Sequence, residues 1–425
     1  MSAKAKPQRR LKDLLAVNFG NVLEWYDWNI YTIFAPYFAA KFFVDDDPAS
    51  ALLSTLAVFA IGFIARPVGG FVFGRYADKA GRKQALFVAM MLTAGGSLVV
   101  GLAPTAASVG VWAAVILVAA RLLQGLAHGG EMGTSMTYLV ERAPQGKRAL
   151  FGSTSWVSVV MGTMLATIVG LLLNLMLSEA TIDSWGWRIP FLIGGALGLY
   201  ALWLRKNIVE TTEDNSTHGG RAHSSTTDET AGIFAHWRGL LLIFVTSAGG
   251  SLMFYNWLLY LPTHAQVKFE QSPDSTLSAS LVAQVIFLVM ILGFGALGDK
   301  IGRKPLIIGF SIGFILLTIP LYNILNGEFV TLVIAMVVSL TFLAMLFGVN
   351  GALWAESLPM KYRATGVATT LSAATAIFGG TAPYVNQWLS NADKDFWFQI
   401  YLVVVAGVTL IAGVFAKETK DASVH

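Results

Sequence analysis

The chain alternates between long apolar stretches and short polar ones, and this pattern indicates its structural class. Twelve apolar blocks of about 20 residues or more follow one another along the 425 residues. An α-helix rises 1.5 Å per residue, so about 20 residues cross the ~30 Å hydrocarbon core of a bilayer. The blocks occupy about 14–43, 50–74, 84–103, 109–141, 149–177, 186–206, 239–266, 276–297, 305–325, 329–358, 364–390 and 394–416. The pattern predicts an all-α membrane protein with twelve transmembrane helices.

Composition and charge agree with this prediction. Charged residues make up 13% of the chain and hydrophobic residues 55%, whereas soluble domains carry about 25% charged residues. Of the 29 lysines and arginines, 23 lie in the two termini and in alternate loops, and only three lie in the remaining loops. This positive-inside distribution predicts a multi-pass protein of the cell membrane (inner or plasma membrane) with both termini in the cytoplasm. The net charge of +4 is thereby explained by topology, without a nucleic-acid partner.

The sequence contains an internal repeat. The segment GRYADKAGRK at Gly74–Lys83 returns as GALGDKIGRK at Gly295–Lys304, and the pattern E-x-x-P-x-x-x-R begins at both Glu141 and Glu356. Each copy follows the second or the fourth apolar block of its half. Such duplication is typical of secondary transporters. It predicts two pseudo-symmetric six-helix bundles, at 1–206 and 239–425, which are joined by a cytoplasmic linker at 207–238.

The duplicated loops are candidate gates. Glycine allows a tight turn, aspartate can cap a helix N-terminus, and basic side chains hold a loop at the anionic membrane face. Ion pairs that form and break here would let the two halves rock against each other. A simple topology anchor with suitable turn residues is the alternative. The predicted gating residues are Asp78, Arg82, Asp299, Arg303, Glu141, Arg148, Glu356 and Arg363.

Several charged residues lie inside the apolar blocks. The segment LEWYDWNIY places Glu24 and Asp27 one helical turn apart in the first block, although a charge at the bilayer centre costs at least ~2.5–3.5 kcal/mol. Arg121 begins a polar stripe at helical spacing that continues through Gln124, His128, Glu131 and Ser135. Such groups are expected to face a polar cavity and to exchange protons, or else to form structural ion pairs between helices. The predicted proton-coupling residues are Asp27, Glu24, Glu131 and Arg121.

Arginine is the expected partner of a carboxylate substrate, because it is always charged and binds carboxylates through two parallel hydrogen bonds. Arg66 in the second block is the first candidate and Arg188 the second, unless Arg188 only anchors the outer end of the sixth block. The aromatic segment around Tyr31 has an echo in the second half that begins at Tyr255. Aromatic side chains there either line a pocket or pack between helices. The predicted substrate-binding residues are Arg66, Arg188, Tyr31, Tyr255, Trp257 and Asn256.

The motifs resemble those of the major facilitator superfamily, through G-x-x-x-D-x-x-G-R-K and R-x-x-Q-G at Arg121–Gly125. GNVLEWYDW, ARPVGG, GGEMGTS and WGWRIPF are more narrowly similar to the metabolite:proton symporters of that superfamily. AGGSLMFY at Ala248–Tyr255 and AIFGGTAPYV at Ala376–Val385 resemble its α-ketoglutarate-transporting members, although many members have an aromatic residue where this chain has Met132. The resemblance implies a twelve-helix fold that alternates access to the two sides of the membrane.

The sequence therefore predicts a proton-coupled symporter that imports a small organic anion such as α-ketoglutarate and works as a monomer in the lipid bilayer. Its energy source would be the proton gradient, with no cofactor. Uptake of proline or betaine, uptake of shikimate or another aromatic acid, and uncoupled facilitation are the alternatives. The chain contains no cysteine, no ligand spacing among its six histidines and no G-x-x-x-x-G-K-[ST] motif. These features argue against an enzyme, a metal site and an ATP-driven pump.

Overall fold

The computed structural model describes residues 7–43, 47–80, 82–128, 131–209, 232 and 235–420. Within these ranges it does not describe the side chains of residues 7–17, 19, 74–75, 77–80, 82–83, 85–86, 131–135, 201 and 204–209. All secondary structure in the described part of the chain is helical. This agrees with the predicted all-α class.

The helices of the N-terminal part follow the predicted apolar blocks. They are α1 (Pro7–Phe42), α2 (Pro48–Ala80), α3 (Arg82–Leu102), α4 (Ala106–Val109), α5 (Trp112–Ala127), α6 (Glu131–Glu141), α7 (Arg148–Met176), α8 (Glu179–Ser184) and α9 (Ile189–Val209). A 3₁₀ turn at Gly186–Arg188 precedes α9. The predicted block 109–141 is thus described as α5 and α6, with residues 129–130 outside the described part.

The helices of the C-terminal part begin after the predicted linker. They are α10 (Trp237–Met253), α11 (Leu261–Phe269), α12 (Pro273–Ile301), α13 (Lys304–Asn323), α14 (Phe329–Glu356), α15 (Met360–Ala374), α16 (Ala382–Asn391) and α17 (Asp395–Phe415). Seven helices within the described residues are long and apolar enough to cross a membrane, and two shorter apolar helical segments accompany them.

Two predicted blocks contain a stretch of π-helix that the hydrophobic pattern did not predict. The first is Phe254–Tyr260, between α10 and α11, and the second is Thr375–Gly379, shortly before α16. A proline follows each stretch, Pro262 in α11 and Pro383 in α16. Proline has no N–H group to donate to the carbonyl four residues earlier, and a wider turn relieves the resulting clash. These widened turns change which side chains face the rest of the protein.

Helices before residue 210 pack mainly with one another, α1 on α7, α2 on α5 and α3 on α9. Helices after residue 236 do the same, α12 on α14, α13 on α17 and α10 on α15. Between these two sets, α7 lies along α12 and α14, while α2 contacts α15 and α16. The bounds predicted for the two bundles, 1–206 and 239–425, stay a prediction, and most of the predicted linker lies outside the described residues.

The closest helix contact in the N-terminal part joins α2 and α5 through glycine. A Cβ atom on Gly125 would overlap the backbone carbonyl oxygen of Gly62. We expect Gly125→Ala to lower the free energy of unfolding by about 2–3 kcal/mol, because a rigid carbonyl cannot move aside as a side chain can. The measurement is thermal unfolding of the purified protein in detergent. Gly95→Ala is the control, since nothing lies within 4 Å of its new methyl group; equal losses in both variants would contradict the close contact.

Candidate functional site

A cavity lies between the N-terminal and the C-terminal helices. Its lining comes from both parts of the chain: Glu24, Trp25, Arg66, His128 and Trp156 from the first, and Ser251, Phe254, Tyr255, Leu371, Ser372 and Thr375 from the second. The cavity has a volume of about 30 Å³, enough for two or three waters. A small dicarboxylate is larger than this, so the cavity must widen before it can hold one.

Arg66 from α2 supplies a positive charge to this cavity. Its side chain is held by ring faces, with Cζ 4.0 Å from the ring centroid of Trp28 and 4.2 Å from that of Phe63. The residue is 7% exposed, and its Nε atom has no hydrogen-bond partner among the described residues. A buried cation is stable only when an anion or hydrogen-bond acceptors compensate it. The planar guanidinium is therefore suited to bind a carboxylate that enters the cavity.

An acid and a histidine share another part of the cavity wall. His128 follows the last residue of α5, and its Nδ1 atom lies 2.8 Å from the carbonyl oxygen of Gln124. Its Nε2 atom lies 3.4 Å from Oε1 of Glu24 but makes no hydrogen bond to any described residue. The carbonyl only accepts, so Nδ1 carries a hydrogen atom and the neutral ring turns the lone pair of Nε2 towards Glu24. This pair can bind a proton next to the cavity.

Asp27 lies on α1 but does not line the cavity. Its carboxylate accepts hydrogen bonds from the Ser97 hydroxyl and from Gln124 Nε2 at 3.0 Å, and the residue is 3% exposed. A Cβ atom on Gly194 of α9 would lie 2.7 Å from Oδ1, so only glycine leaves room for the carboxylate there. Asp27 is thus enclosed by α3, α5 and α9, and it is joined to His128 through Gln124.

Arg121 is the second cation of the N-terminal part. Its guanidinium Cζ lies 3.9 Å from the ring centroid of Tyr31, and the residue is fully buried. None of its three guanidinium nitrogens has a hydrogen-bond partner among the described residues. Asp27 therefore accepts its hydrogen bonds from neutral groups, not from Arg121. An acid and a base that lie close but are not bonded can pair in another conformation of the protein.

Of the predicted substrate-binding residues, the structure brings Arg66 and Tyr255 to the cavity. Tyr31 is elsewhere, because its hydroxyl donates to the backbone carbonyl of Thr55 at 3.0 Å and its ring packs under Arg121. We therefore leave Tyr31 out of the proposed binding site. Its position next to Arg121 relates it to the predicted proton-coupling residues instead.

Asn256 and Trp257 also lie away from the cavity. Asn256 Oδ1 accepts from the hydroxyl of Tyr322 and from Asn386 Nδ2, each at 2.9 Å, and Trp257 packs its ring against Tyr322. The prediction placed both residues by analogy with a regular helix in the first half. In the structure all three residues of the repeat, Tyr255 to Trp257, belong to the π-helical stretch, and of these Tyr255 lines the cavity.

Arg188 caps the end of another helix. Its Nη1 atom donates to the backbone carbonyls of Gly101 at 3.1 Å and Ala103 at 2.6 Å, and its guanidinium stacks on Trp187. The last carbonyls of a helix lack partners within the helix, and a basic side chain satisfies them. Arg188 is thereby placed as an anchor at the end of α3, outside the cavity.

The predicted gating residues that the structure describes gather at one end of the molecule, here called the basic end. Asp299 accepts from the backbone N–H groups of Ala149 at 2.9 Å and Leu150 at 3.0 Å, and so caps α7. The other contacts are Arg363 with Glu141 at 2.8 Å, Arg148 with Glu356 at 3.6 Å, Arg303 with Glu356 at 2.9 Å and Arg303 with Asp299 at 3.4 Å. The contacts of Asp299 with α7, of Arg363 with Glu141 and of Arg148 with Glu356 join the N-terminal and C-terminal helices at this end.

Apolar packing joins the two parts of the chain at the opposite end of the molecule. A cluster of buried side chains there comes from α1, α2 and the first π-helical stretch: Ala35, Ala39, Ala51, Leu52, Leu56 and Tyr260. The Tyr260 hydroxyl also donates to Gln387 of α16. Among the described residues, contacts between the two parts of the chain thus lie on both sides of the cavity.

Three predicted site residues lie outside the described side chains. These are Glu131, predicted for proton coupling, and Asp78 and Arg82, predicted for gating. Their roles stay predictions. The second copies of the two loop residues, Asp299 and Arg303, are described above.

Several cavity residues were not predicted from the sequence. Trp156 donates from Nε1 to Asn350 at 2.7 Å, and Ser251 and Thr375 share a hydrogen bond of 2.9 Å between their side chains. Small hydroxyl residues in an apolar helix are common, so they carry little signal in a single sequence. The spacing of Ser372 and Thr375, which places both on one helix face, was the available clue.

The C-terminal tail adds a contact at the basic end. Glu418 accepts from the backbone N–H groups of Arg303 at 2.9 Å and Lys304 at 3.0 Å and so caps α13. Partial burial raises the pKa of this carboxyl, but the hydrogen bonds from backbone N–H groups outweigh it and hold the pKa below its ordinary value. The ionised form therefore stabilises the folded protein.

We expect Glu418→Gln to lower the free energy of unfolding by about 1 kcal/mol at pH 7, the usual effect of losing a helix cap. The lowered pKa means that wild type loses this stabilisation only as the pH falls from about 4.3 through the folded-state value. Thermal unfolding at pH 7 and pH 3 tests both points, because the two proteins should converge at low pH. Glu328→Gln is the control, since Glu328 precedes α14 without capping it through its side chain. A gap that does not narrow as the pH falls below about 4.3 would contradict the assignment.

Comparison with known proteins identifies the family. The model of the Major Facilitator Superfamily matches residues 17–380. The chain is 34% identical to the alpha-ketoglutarate permease of Escherichia coli (strain K12), over 94% of this chain and 92% of that protein. It is 32% identical to a putative proline/betaine transporter of Staphylococcus haemolyticus, over 94% of this chain and 86% of the relative. The similarity to both covers nearly the whole chain.

Solved structures agree on the fold. A partially occluded, inward-open structure of the xylose transporter of E. coli superimposes with a TM-score of 0.73 at 19% identity, covering 96% of this chain and 98% of that one. A D-xylose–proton symporter gives a TM-score of 0.70 at 19% identity, covering 97% of this chain and 99% of that one. At this level of identity, the superposition shows the fold alone. That fold and the family match confirm the predicted twelve-helix architecture. The chain is a membrane transporter, not an enzyme, and it belongs to the major facilitator superfamily.

Proposed function

We propose that the chain is a proton-coupled symporter that imports a small carboxylate, with α-ketoglutarate as the first candidate. The observation that carries this proposal is Arg66, a buried guanidinium on the cavity wall that is stacked on rings and, among the described residues, not neutralised by a hydrogen-bonded acid. A carboxylate from solution is its natural partner. The 34% identical relative named for alpha-ketoglutarate agrees with this chemistry.

The proposed cycle is alternating access. The ion pairs at the basic end and the apolar cluster at the opposite end open in turn, while the cavity between them widens around the substrate. The basic end is assigned to the cytoplasm, because the positive-inside distribution places its loops there. The protein is proposed to act as a monomer in the cell membrane, driven by the proton gradient and without a cofactor.

Proton coupling is supported by the protonatable groups around Arg66 and Arg121. Glu24 and His128 reach the cavity, and Asp27 lies behind it in a site of neutral donors. Two protonatable sites suit a dicarboxylate, because two protons compensate its two negative charges during transport. Stability alone rarely requires charged residues in such places, so their presence favours a functional role.

A second candidate substrate class is the zwitterion proline or betaine. Besides Arg66, the cavity presents the carboxyl group of Glu24 and the aromatic side chains of Trp25, Trp156 and Tyr255. An acid with aromatic rings also suits a quaternary ammonium group, and the chain is 32% identical to a putative proline/betaine transporter. The two candidate substrates require different protonation states of Glu24, since only the ionised form attracts an ammonium group.

The test is uptake into vesicles that contain the purified protein. Radiolabelled α-ketoglutarate, proline, betaine and shikimate are supplied separately, with and without an uncoupler and with an inward pH gradient. The proposal expects accumulation of α-ketoglutarate that collapses when the uncoupler is added. Accumulation of betaine or proline instead would support the second candidate. Equilibration that never exceeds the outside concentration would contradict coupling.

A further inference from the structure

We propose that Glu24 and His128 hold one shared proton on the cavity wall, and that this proton binds and leaves together with the carboxylate substrate. The proposal rests on the proposed function and goes beyond it by naming the pair that carries the proton. His128 was known from the sequence only as a member of a polar stripe. Its contact with Glu24, on a different helix, is visible only in the structure.

The geometry of the His128 imidazole ring suits a shared proton. Nδ1 donates to the Gln124 carbonyl at 2.8 Å, and this bond exists whether or not the ring is charged. Nε2 then faces Oε1 of Glu24 at 3.4 Å and makes no hydrogen bond within the described part of the chain. If the ring is neutral and the carboxylate is ionised, two hydrogen-bond acceptors, Nε2 and Oε1, face each other there. One added proton, on Nε2 or on the carboxyl, converts the two acceptors into a donor and an acceptor.

The position of this pair gives it access to the cavity. The imidazole is nearly buried and the Glu24 side chain is 19% exposed, and both line the cavity in which Arg66 lies. The pair therefore reaches the water of the cavity, while Asp27 is enclosed by Ser97, Gln124 and Gly194.

The protonation of this pair is coupled electrostatically to substrate binding. In the described part of the chain, the charged or titratable side chains around the pair include Arg66 from α2, Arg121 from α5 and Tyr255 from the first π-helical stretch. Asp27 from α1 is joined to His128 through Gln124, and Glu131 lies outside the described side chains. Before a substrate binds, the positive charge of Arg66 opposes protonation of the pair. A bound carboxylate neutralises Arg66 and so favours protonation. Reciprocity requires that a protonated pair also strengthens substrate binding.

The proton balance of one cycle follows from this coupling. In the state that is open to the outside, the pair takes one proton from extracellular water as the carboxylate binds at Arg66. In the state that is open to the cytoplasm, the substrate leaves, the charge of Arg66 again opposes protonation, and the same proton passes to cytoplasmic water. No other group is oxidised, reduced or consumed.

The test measures proton uptake when α-ketoglutarate binds to the purified protein in detergent. Calorimetry in buffers of different ionisation enthalpy gives the number of protons bound per substrate, and titrations from pH 5 to pH 9 give the pH dependence of Kd. Wild type is expected to take up protons and to bind more tightly at low pH. His128→Asn keeps a donor for the Gln124 carbonyl but cannot be protonated. It is expected to take up one proton fewer, which flattens the pH dependence of Kd by up to tenfold per pH unit.

Glu24→Gln is the second variant, and the two side chains have nearly the same volume. Its amide presents a donor to Nε2 as the protonated acid does, so we expect Kd at pH 9 to approach the wild-type value at low pH. His264→Asn is the matched control. His264 is another buried histidine, but it packs among Tyr260, Phe269 and Tyr322 away from the cavity. This control should keep the wild-type proton count.

The outcomes separate this inference from the proposed function. Wild-type proton uptake that is unchanged in His128→Asn overturns the shared proton and leaves proton-coupled transport standing. If His128→Asn does not fold, an unchanged proton count in Glu24→Gln overturns it equally. Wild-type binding without proton uptake at any pH overturns it without any variant. A wild type that neither binds nor transports α-ketoglutarate, proline, betaine or shikimate contradicts the proposed function itself.

Discussion

Arg66→Ala is expected to lower kcat/KM for carboxylate uptake by roughly 30- to 4,000-fold. Removing one partner of a buried, hydrogen-bonded charge pair costs about 2–5 kcal/mol, and each 1.4 kcal/mol is a factor of ten. The loss should appear mainly as weaker substrate binding, because the guanidinium is proposed to contact the carboxylate directly. Initial rates of uptake into vesicles over a range of substrate concentrations measure both parameters.

The control for this variant is Arg188→Gln. Arg188 also stacks on an indole ring, but its guanidinium donates to the carbonyls at the end of α3, and glutamine keeps a donor there. Uptake should remain near the wild-type rate. Arg66→Lys separates charge from shape, since lysine keeps the charge and loses the planar fork. Wild-type affinity in Arg66→Ala would contradict Arg66 as the carboxylate site.

Asp27→Asn is expected to reduce accumulation of the substrate while leaving exchange across the membrane intact. Asparagine cannot take up a proton, and each proton lost from the cycle removes about 1.4 kcal/mol of driving force per pH unit. With an inward gradient of two pH units, the accumulation ratio should fall about 100-fold. Uptake driven by the gradient and counterflow of labelled against unlabelled substrate are measured on the same vesicles.

The structure allows this substitution without a new clash. Gln124 now donates to Asp27, and its own Oε1 atom has no hydrogen-bond partner among the described residues. If the Gln124 amide turns over, that oxygen can accept from the side-chain amide that the substitution introduces at position 27. Asp183→Asn is the control, because the Asp183 side chain is 65% exposed and pairs with Lys41 at the surface, where ion pairs contribute little. Accumulation that survives in Asp27→Asn would exclude Asp27 from the coupling.

How much of the site the sequence predicts depends on how each residue is held. Arg66 and Asp27 were predicted correctly as buried, because a charge in the middle of an apolar block has few other places to go. Arg188 met the same criterion of residue type, yet it caps a helix, and its two carbonyl partners come from another part of the chain. Residue type and depth therefore predict burial, but not the partner.

The aromatic segment of the second half shows the same limit. Tyr255 lines the cavity, whereas Asn256 and Trp257 turn into the C-terminal helices. A repeat in the sequence indicates equivalent positions in the chain, but neighbouring residues of a helix point in different directions. The repeat therefore does not indicate which of them faces the cavity. Likewise, His128 gains its proposed role from Glu24, which lies on another helix and far away in sequence.

The amino-acid sequence by itself determined the twelve spans, the superfamily motifs, the side of the membrane expected for the loops, and the set of charges that need burial. These follow from local properties, because hydropathy, helical rise and the cost of burying a charge act over a few residues at a time. Only the tertiary structure decided which buried charges meet, that Glu24 faces His128 and Asp27 faces Ser97, and that contacts between the two parts of the chain lie on both sides of the cavity. Those contacts join distant segments, and their geometry depends on how whole helices pack.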